Sequence, residues 1–235
     1  MDCKIILKKQ AEAGNGRVKK TFVVIYFMGD GPSVDYGKAV KWYRMAAEQG
    51  SADAQFILGV MYENGDGVPQ DFPEAVKWCR KAAEQGFAPA QNHLGKMYKE
   101  GQAVPQDHQK AVKWWRKAAE QGSADAQFAL GVIYGNGDGV PPDFPEAVQW
   151  WRKAAEQGDV DAMRNLGIFY FKGKGVPQDY VQSYFWSSLA ASRGSGGKYN
   201  NASSTRDRSA KLLPPEKLME AQRMTREWEK SHPRK

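Results

Sequence analysis

The chain has 235 residues, 41% of them hydrophobic, and a formal net charge of +7. That supply of apolar residues is enough for one continuous core. The charge sits at the ends: residues 1–20 carry six Lys/Arg against two Asp/Glu, residues 195–235 ten against five, and residues 21–194 eighteen against twenty. A nucleic-acid groove needs its cations along the body of the fold, so nucleic acid is not expected as a partner.

No stretch reaches the ~20 apolar residues that cross a bilayer, and no transmembrane segment is expected. Asp2 and Glu12 interrupt the basic start, and Ile5 to Leu7 is too short an apolar run for a secretory signal. The run 22–28 is at the lower limit for such a signal and is read as helix. A cytoplasmic location is the expectation, or a periplasmic or secreted one if the start codon is mis-assigned.

Residues 1–14 read as an N-terminal remnant, and Ala11-Glu12-Ala13-Gly14 echoes Ala46 to Gly50 one period on. Residues 15–50 are a degenerate first repeat, with Val23 where later repeats have glycine. Residues 51–86, 87–122, 123–158 and 159–194 are repeats two to five. A shift of 36 residues superposes Gly59, Gly95, Gly131 and Gly167, then Tyr62, Tyr98, Tyr134 and Tyr170, and then Trp42, Trp78, Trp114, Trp150 and Trp186. A period of this size marks an array in which each unit buries its apolar face on its neighbours.

Each repeat predicts a front helix, a loop and a back helix. In the fourth, Ala126, Leu130, Ile133 and Tyr134 recur at helical spacing over 124–136. Gly137-Asp138-Gly139-Val140-Pro141 breaks the chain. Asp143 with Glu146, like Asp71 with Glu74, forms the pattern of a reciprocal capping box. The back helix is expected to bury Ala147, Val148, Trp150, Trp151, Ala154 and Ala155, and to stop at Gly158. Gly131 and the Ala154-Ala155 pair are expected to let the two backbones approach closely. Residues 195–235 form a loop and C-terminal capping helices: SGGKYNNASST reads as loop, with helices over 203–212 and 215–230. Leu218, Ala221, Met224 and Trp228 share the inner face of the last.

These columns resemble Sel-one-like repeats (SLR), relatives of tetratricopeptide units. The carriers are Ala-x-x-x-Leu-Gly-x-x-Tyr (Ala126 to Tyr134), Gly-x-Gly-Val-Pro (Gly137 to Pro141) and Trp-x-x-x-Ala-Ala-x-x-Gly (Trp150 to Gly158). The resemblance implies an all-α fold: a right-handed α-α superhelix, or solenoid, of helix-turn-helix repeats with a C-terminal capping pair. It also implies a non-enzymatic adaptor or scaffold that binds a protein or peptide, often in bacterial signalling, envelope or host-interaction systems. Some cysteine-rich members, with a disulfide in each repeat, are linked to β-lactam chemistry. This chain has two cysteines, Cys3 and Cys79, and no such pairs. A hydrolase acting on β-lactams or peptidoglycan-like material is therefore only the alternative reading.

No other motif carries chemistry. Ser195 and Lys198 match Ser-x-x-Lys formally, but in a loop and without partner motifs. His93, His108 and His232 have no ligand spacing, so neither a metal nor a cofactor is expected. Asn64 to Gly67 and Asn136 to Gly139 have the glycine too early for a calcium loop and read as turns.

Columns that hold between repeats build the stack, and those that vary are free for recognition. On the front helices the varying columns are Phe56/Asn92/Phe128/Arg164, Ile57/His93/Ala129/Asn165, Val60/Lys96/Val132/Ile168 and Glu63/Lys99/Gly135/Phe171. Front helices line the concave face of such stacks. The expected partner-binding residues are therefore Phe56, Ile57, Val60, Asn92, His93, Lys96, Lys99, Phe128, Val132, Arg164, Asn165, Ile168 and Phe171. Some of them complete the packing between neighbouring repeats instead. A monomer is expected.

Overall fold

The computed structural model describes residues 36–233. The predicted remnant at 1–14, the worn front half of the first repeat and Cys3 lie outside the described residues. Eleven α-helices and one 3₁₀ turn, and no strand, occur among the described residues. The described residues divide into two compact units, one up to Ala118 and one from Ala119 on.

The first unit holds back helix α1 (Tyr36–Glu48), front helix α2 (Ala52–Asn64), back helix α3 (Phe72–Glu84), front helix α4 (Ala88–Glu100) and most of back helix α5 (His108–Glu120). In the second lie front helix α6 (Ala124–Asn136), back helix α7 (Phe144–Glu156), front helix α8 (Val160–Lys172) and back helix α9 (Tyr180–Arg193). The cap follows as α10 (Asn200–Leu212) and α11 (Pro215–Ser231).

Local chemistry sets these bounds. Ser51, Ser123 and Asp159 accept the first free N–H groups of α2, α6 and α8. Gly65, Gly101, Gly137 and Gly173 end the front helices in the left-handed region, which costs glycine little. Each loop then turns back, so that Asp71 N–H donates to Tyr62 O and Asp143 N–H to Tyr134 O, at 2.9 and 3.0 Å.

The capping boxes are therefore half present. Asp71 and Asp143 accept from the N–H of Glu74 and Glu146, at 3.0 and 2.9 Å. Their own N–H groups are already taken by the tyrosine carbonyls, and the glutamates act elsewhere. Glu74 meets Lys77 at 2.6 Å, and Glu146 accepts from the Trp150 indole at 3.2 Å.

In the first unit the core is built on Leu58, Met61, Ala75 and Trp78, and again on Cys79, Ala82, Leu94 and Met97. The second unit is built on Val148, Trp151, Ala154, Met163, Leu166, Phe185 and Leu189. All six residues expected inside α7 are buried.

The invariant glycines do something other than expected. A Cβ on Gly131 would collide with the Trp151 indole, and one on Gly95 would lie 2.5 Å from Cδ1 of Trp115. The column thus seats an aromatic ring rather than an Ala-Ala backbone. Where the ring is missing, backbone atoms are among the nearest neighbours. A Cβ on Gly59 would lie 3.1 Å from Cys79 N, and one on Gly167 3.1 Å from Ser187 N.

Polar rungs tie successive helices together. Buried Gln55, Gln91 and Gln127 each donate to a carbonyl of the preceding back helix, of Ala47, Ala83 and Ala119, at 3.0 Å. Arg80 donates to the Tyr98 hydroxyl at 2.9 Å, and Arg44–Tyr62 and Arg152–Tyr170 repeat the contact. The buried glutamine amides and tyrosine hydroxyls are thereby satisfied, while the three arginines are exposed.

Helix α10 starts at Asn200, earlier than the composition predicts. Only 195–199 of the Ser195–Thr205 stretch stays outside α-helix. Asn and Ser are tolerated in a first turn, and Ala202 and Thr205 are held there by burial. On α11 Ala221 is buried, and Leu218, Met224 and Trp228 are half-buried beside it. Arg193 lies over the Trp228 ring at 4.5 Å, and His232 stacks on it at 4.1 Å.

Candidate interaction surface

The varying columns lie on the accessible face of the front helices, but they are not equally free. Lys96 is exposed. Phe56, Ile57, Val60, Asn92, His93, Lys99, Phe128, Val132, Arg164, Asn165, Ile168 and Phe171 are half-buried. Each therefore divides its surface between a neighbour and solvent.

In the first unit the neighbours are specific. His93 Nε2 lies 2.6 Å from Glu63 Oε2, with the side chains 23% and 13% exposed. The Phe56 ring packs edge-on against His93 and tilts against Phe87, both at 5.7 Å. Ile57 packs on the core of α1 to α3. The Trp115 indole donates to Asn92 O at 3.2 Å. Glu63 was recognised only as a member of a varying column, yet its carboxylate organises this corner. No local pattern gives that away, because its partner lies thirty residues on.

In the second unit Phe128 and Val132 rest on the core with their outer faces open. Arg164 meets Asp161 at 3.5 Å. Phe171 tilts against Tyr180 at 5.5 Å, and the Arg208 guanidinium covers its ring at 4.3 Å. Arg208 stands to Phe171 as His93 stands to Glu63, each reaching back from the next front helix. Sequence columns miss Arg208, since the cap falls out of the 36-residue register.

The back helices present a different surface. Lys81, Lys117 and Lys153 lie over Trp78, Trp114 and Trp150 of their own helices, at 4.4, 4.6 and 4.3 Å. These cations are already engaged by ring faces. A shallow cleft of about 380 Å³ between α7 and the 175–176 loop is lined by Pro145, Val148, Arg152, Lys153 and Val176.

The other candidates carry no site. Cys79 is fully buried, and burial with the nearby Glu63 charge pushes its thiol up to about 12. Such a thiol is inert at neutral pH. Among the described residues no group of three His, Cys, Asp or Glu could hold a metal. Asn64 donates to Asp66 and Asn136 to Asp138, at 3.1 and 3.2 Å, closing turns. Ser195 is exposed in the segment between α9 and the 3₁₀ turn, not at a helix start. No helix among the described residues is long and apolar enough to cross a membrane.

Stacked helical hairpins without strands define an all-α helical-repeat protein of the solenoid class. The family model of the Sel1 repeat matches residues 24–51, 52–87, 88–123, 124–159 and 160–195, and the chain belongs to the Sel1 repeat family. It is similar to c5321, a protective antigen of uropathogenic Escherichia coli strains displaying an SLR fold. That match has 34% identity over 97% of this chain and 56% of that one, with a TM-score of 0.78. It is also similar to a Sel1 repeat protein from Oxalobacter formigenes, at 35% identity over 82% of this chain and 56% of that one, TM-score 0.74. The chain thus spans little more than half the length of both. A sel1 repeat protein from Klebsiella pneumoniae shares the fold at 24% identity, over 89% of this chain and 100% of that one, TM-score 0.52. Comparison with curated proteins gave no match.

Proposed function

We propose that this protein is a non-enzymatic scaffold that holds a segment of a protein partner against the front-helix face of its repeats. One observation carries the reading. The stacking positions repeat from unit to unit, while the accessible positions beside them change: half-buried Phe56 and Val60 on α2, exposed Lys96 on α4, half-buried Phe128 and Val132 on α6, and half-buried Ile168 and Phe171 on α8. Accessible apolar side chains beside polar ones make a recognition surface. Membership of a family whose repeats mediate protein interactions supports it. The hydrolase alternative finds no support, since this chain lacks the paired cysteines of the relatives that suggested it.

The test uses a partner captured from the native cell and then purified. Lys96→Glu with Lys99→Glu and Phe128→Ala is expected to weaken its affinity by at least tenfold, about 1.4 kcal/mol. Lys113→Glu on a back helix is expected to leave it unchanged. Full affinity in the front-face variant rejects the reading.

A further inference from the structure

The front-face reading leaves open what kind of segment is bound. We infer that the face formed by α8 and α10 takes an acidic segment of a partner protein, one whose carboxylates alternate with apolar side chains. This inference rests on the front-face reading and narrows it.

Charge is the first ground. Helices α8 and α10 carry Arg164, Lys172, Arg206, Arg208 and Lys211 against only Asp161 and Asp207. Both carboxylates are used locally: Asp161 meets Arg164 at 3.5 Å, and Asp207 meets Arg206 at 2.7 Å. Lys172, Arg208 and Lys211 are exposed, and no ion pair to a carboxylate forms at any of them among the described residues. Complementary potential is what steers and orients a charged partner.

The second ground is what surrounds those cations. Arg208 lies over Phe171 at 4.3 Å. Stacking withdraws one face of the guanidinium from water and leaves its edge N–H groups free. That is the arrangement in which arginine grips a carboxylate through two parallel bonds. Ile168 lies one turn from Phe171 on the same stripe of α8. Leu212, 53% exposed, shares the Arg208 stripe of α10. Apolar side chains thus flank the cations on both helices. A nucleic acid would ask instead for a continuous cationic track.

The experiment measures binding of the full chain to labelled peptides of equal length that alternate Glu with Leu, Ser with Leu, or Lys with Leu, and to an oligothymidylate. The Glu/Leu peptide is expected to bind at least about tenfold more tightly than the Ser/Leu peptide, with the preference shrinking as salt rises. Arg208→Glu with Lys211→Glu is expected to abolish the preference. Arg208→Lys keeps part of it, and Lys113→Glu keeps all of it. Equal binding of Glu/Leu and Ser/Leu peptides, both weakened by Ile168→Ala, overturns the acidic partner and leaves the front face standing. Binding that no front-face substitution alters overturns both. Tighter binding of the oligothymidylate overturns the peptide in favour of nucleic acid.

Discussion

His93 and Glu63 meet at 2.6 Å between consecutive front helices, each side chain mostly covered. A histidine and a carboxylate in two varying columns are thus partners of each other first. Removing either strands the other in a half-buried site, so Glu63→Ala and His93→Ala should each destabilise the fold by about 1–2 kcal/mol. The double variant should cost less than the sum, with a coupling of about 1 kcal/mol. Denaturant melts of the four proteins measure it, and strict additivity would show that the contact is not formed in solution.

Volume is traded between the front and back helices of one repeat. A Cβ on Gly135 would lie 2.6 Å from Cη2 of Trp151, so the ring occupies the space above that glycine. One position holds Gly135 with Trp151, and its counterparts pair Glu63 with Cys79 and Phe171 with Ser187. In these three, small on one helix goes with large on the other, whereas Lys99 and Trp115, the fourth such pair, are both large. Cys79→Trp should therefore overpack its site and cost on the order of 1–3 kcal/mol. Adding Glu63→Gly should relieve that crowding, so the double variant should lose less than the sum of the two single variants. Melting temperatures of both single variants and the double variant decide, and strictly additive losses would refute the exchange.

Ala103 has φ 62, where every comparable loop position, Gly67, Gly139 and Gly175, is glycine. A Cβ in the left-handed region costs about 1 kcal/mol. Ala103→Gly should raise stability by roughly that amount, less the added freedom of the unfolded chain. Thermal melting reads it directly, and a lower midpoint would count against the strain.

Asp159 caps α8, accepting from Ala162 N–H at 2.7 Å, but burial raises its pKa above the usual carboxylate value, reinforced by Asp161 and Asp125. A carboxyl with a raised folded-state pKa favours the folded state only while protonated. Its penalty grows as pH rises from the unfolded pKa through the folded one and is complete at neutral pH. Asp159→Asn keeps the cap and removes the charge. The variant should melt above the parent at pH 7, with the gap closing below pH ~4. A gap that persists at acid pH would assign the effect to something other than this titration.

Much of the fold was legible because the residues that build it recur. Leu58, Leu94, Leu130 and Leu166 are each fully buried, and the six predicted core positions of α7 all point inward. What escaped was every relation between columns. The spacing of Gly131 showed that a small residue was needed, but not that Trp151 was the reason. Asp143 and Glu146 matched a capping box, yet the loop's return to Tyr134 had already taken the N–H the box requires. The expected partner-binding residues are half-buried, apart from exposed Lys96. Which of them touch one another depends on how consecutive helices are offset, and periodicity within one helix carries no trace of that. Arg208 was missed for the same reason, since α10 sits out of register with the repeats.

The front helices, not the back ones, are proposed to hold the partner. Photo-crosslinking residues placed singly at Val60, Lys96, Val132 and Ile168, and at Lys113 and Gln149 on back helices, test it in the native cell. Adducts to one protein are expected from the four front positions and none from the two back ones. Adducts from Lys113 and Gln149, with none from the front helices, would contradict it.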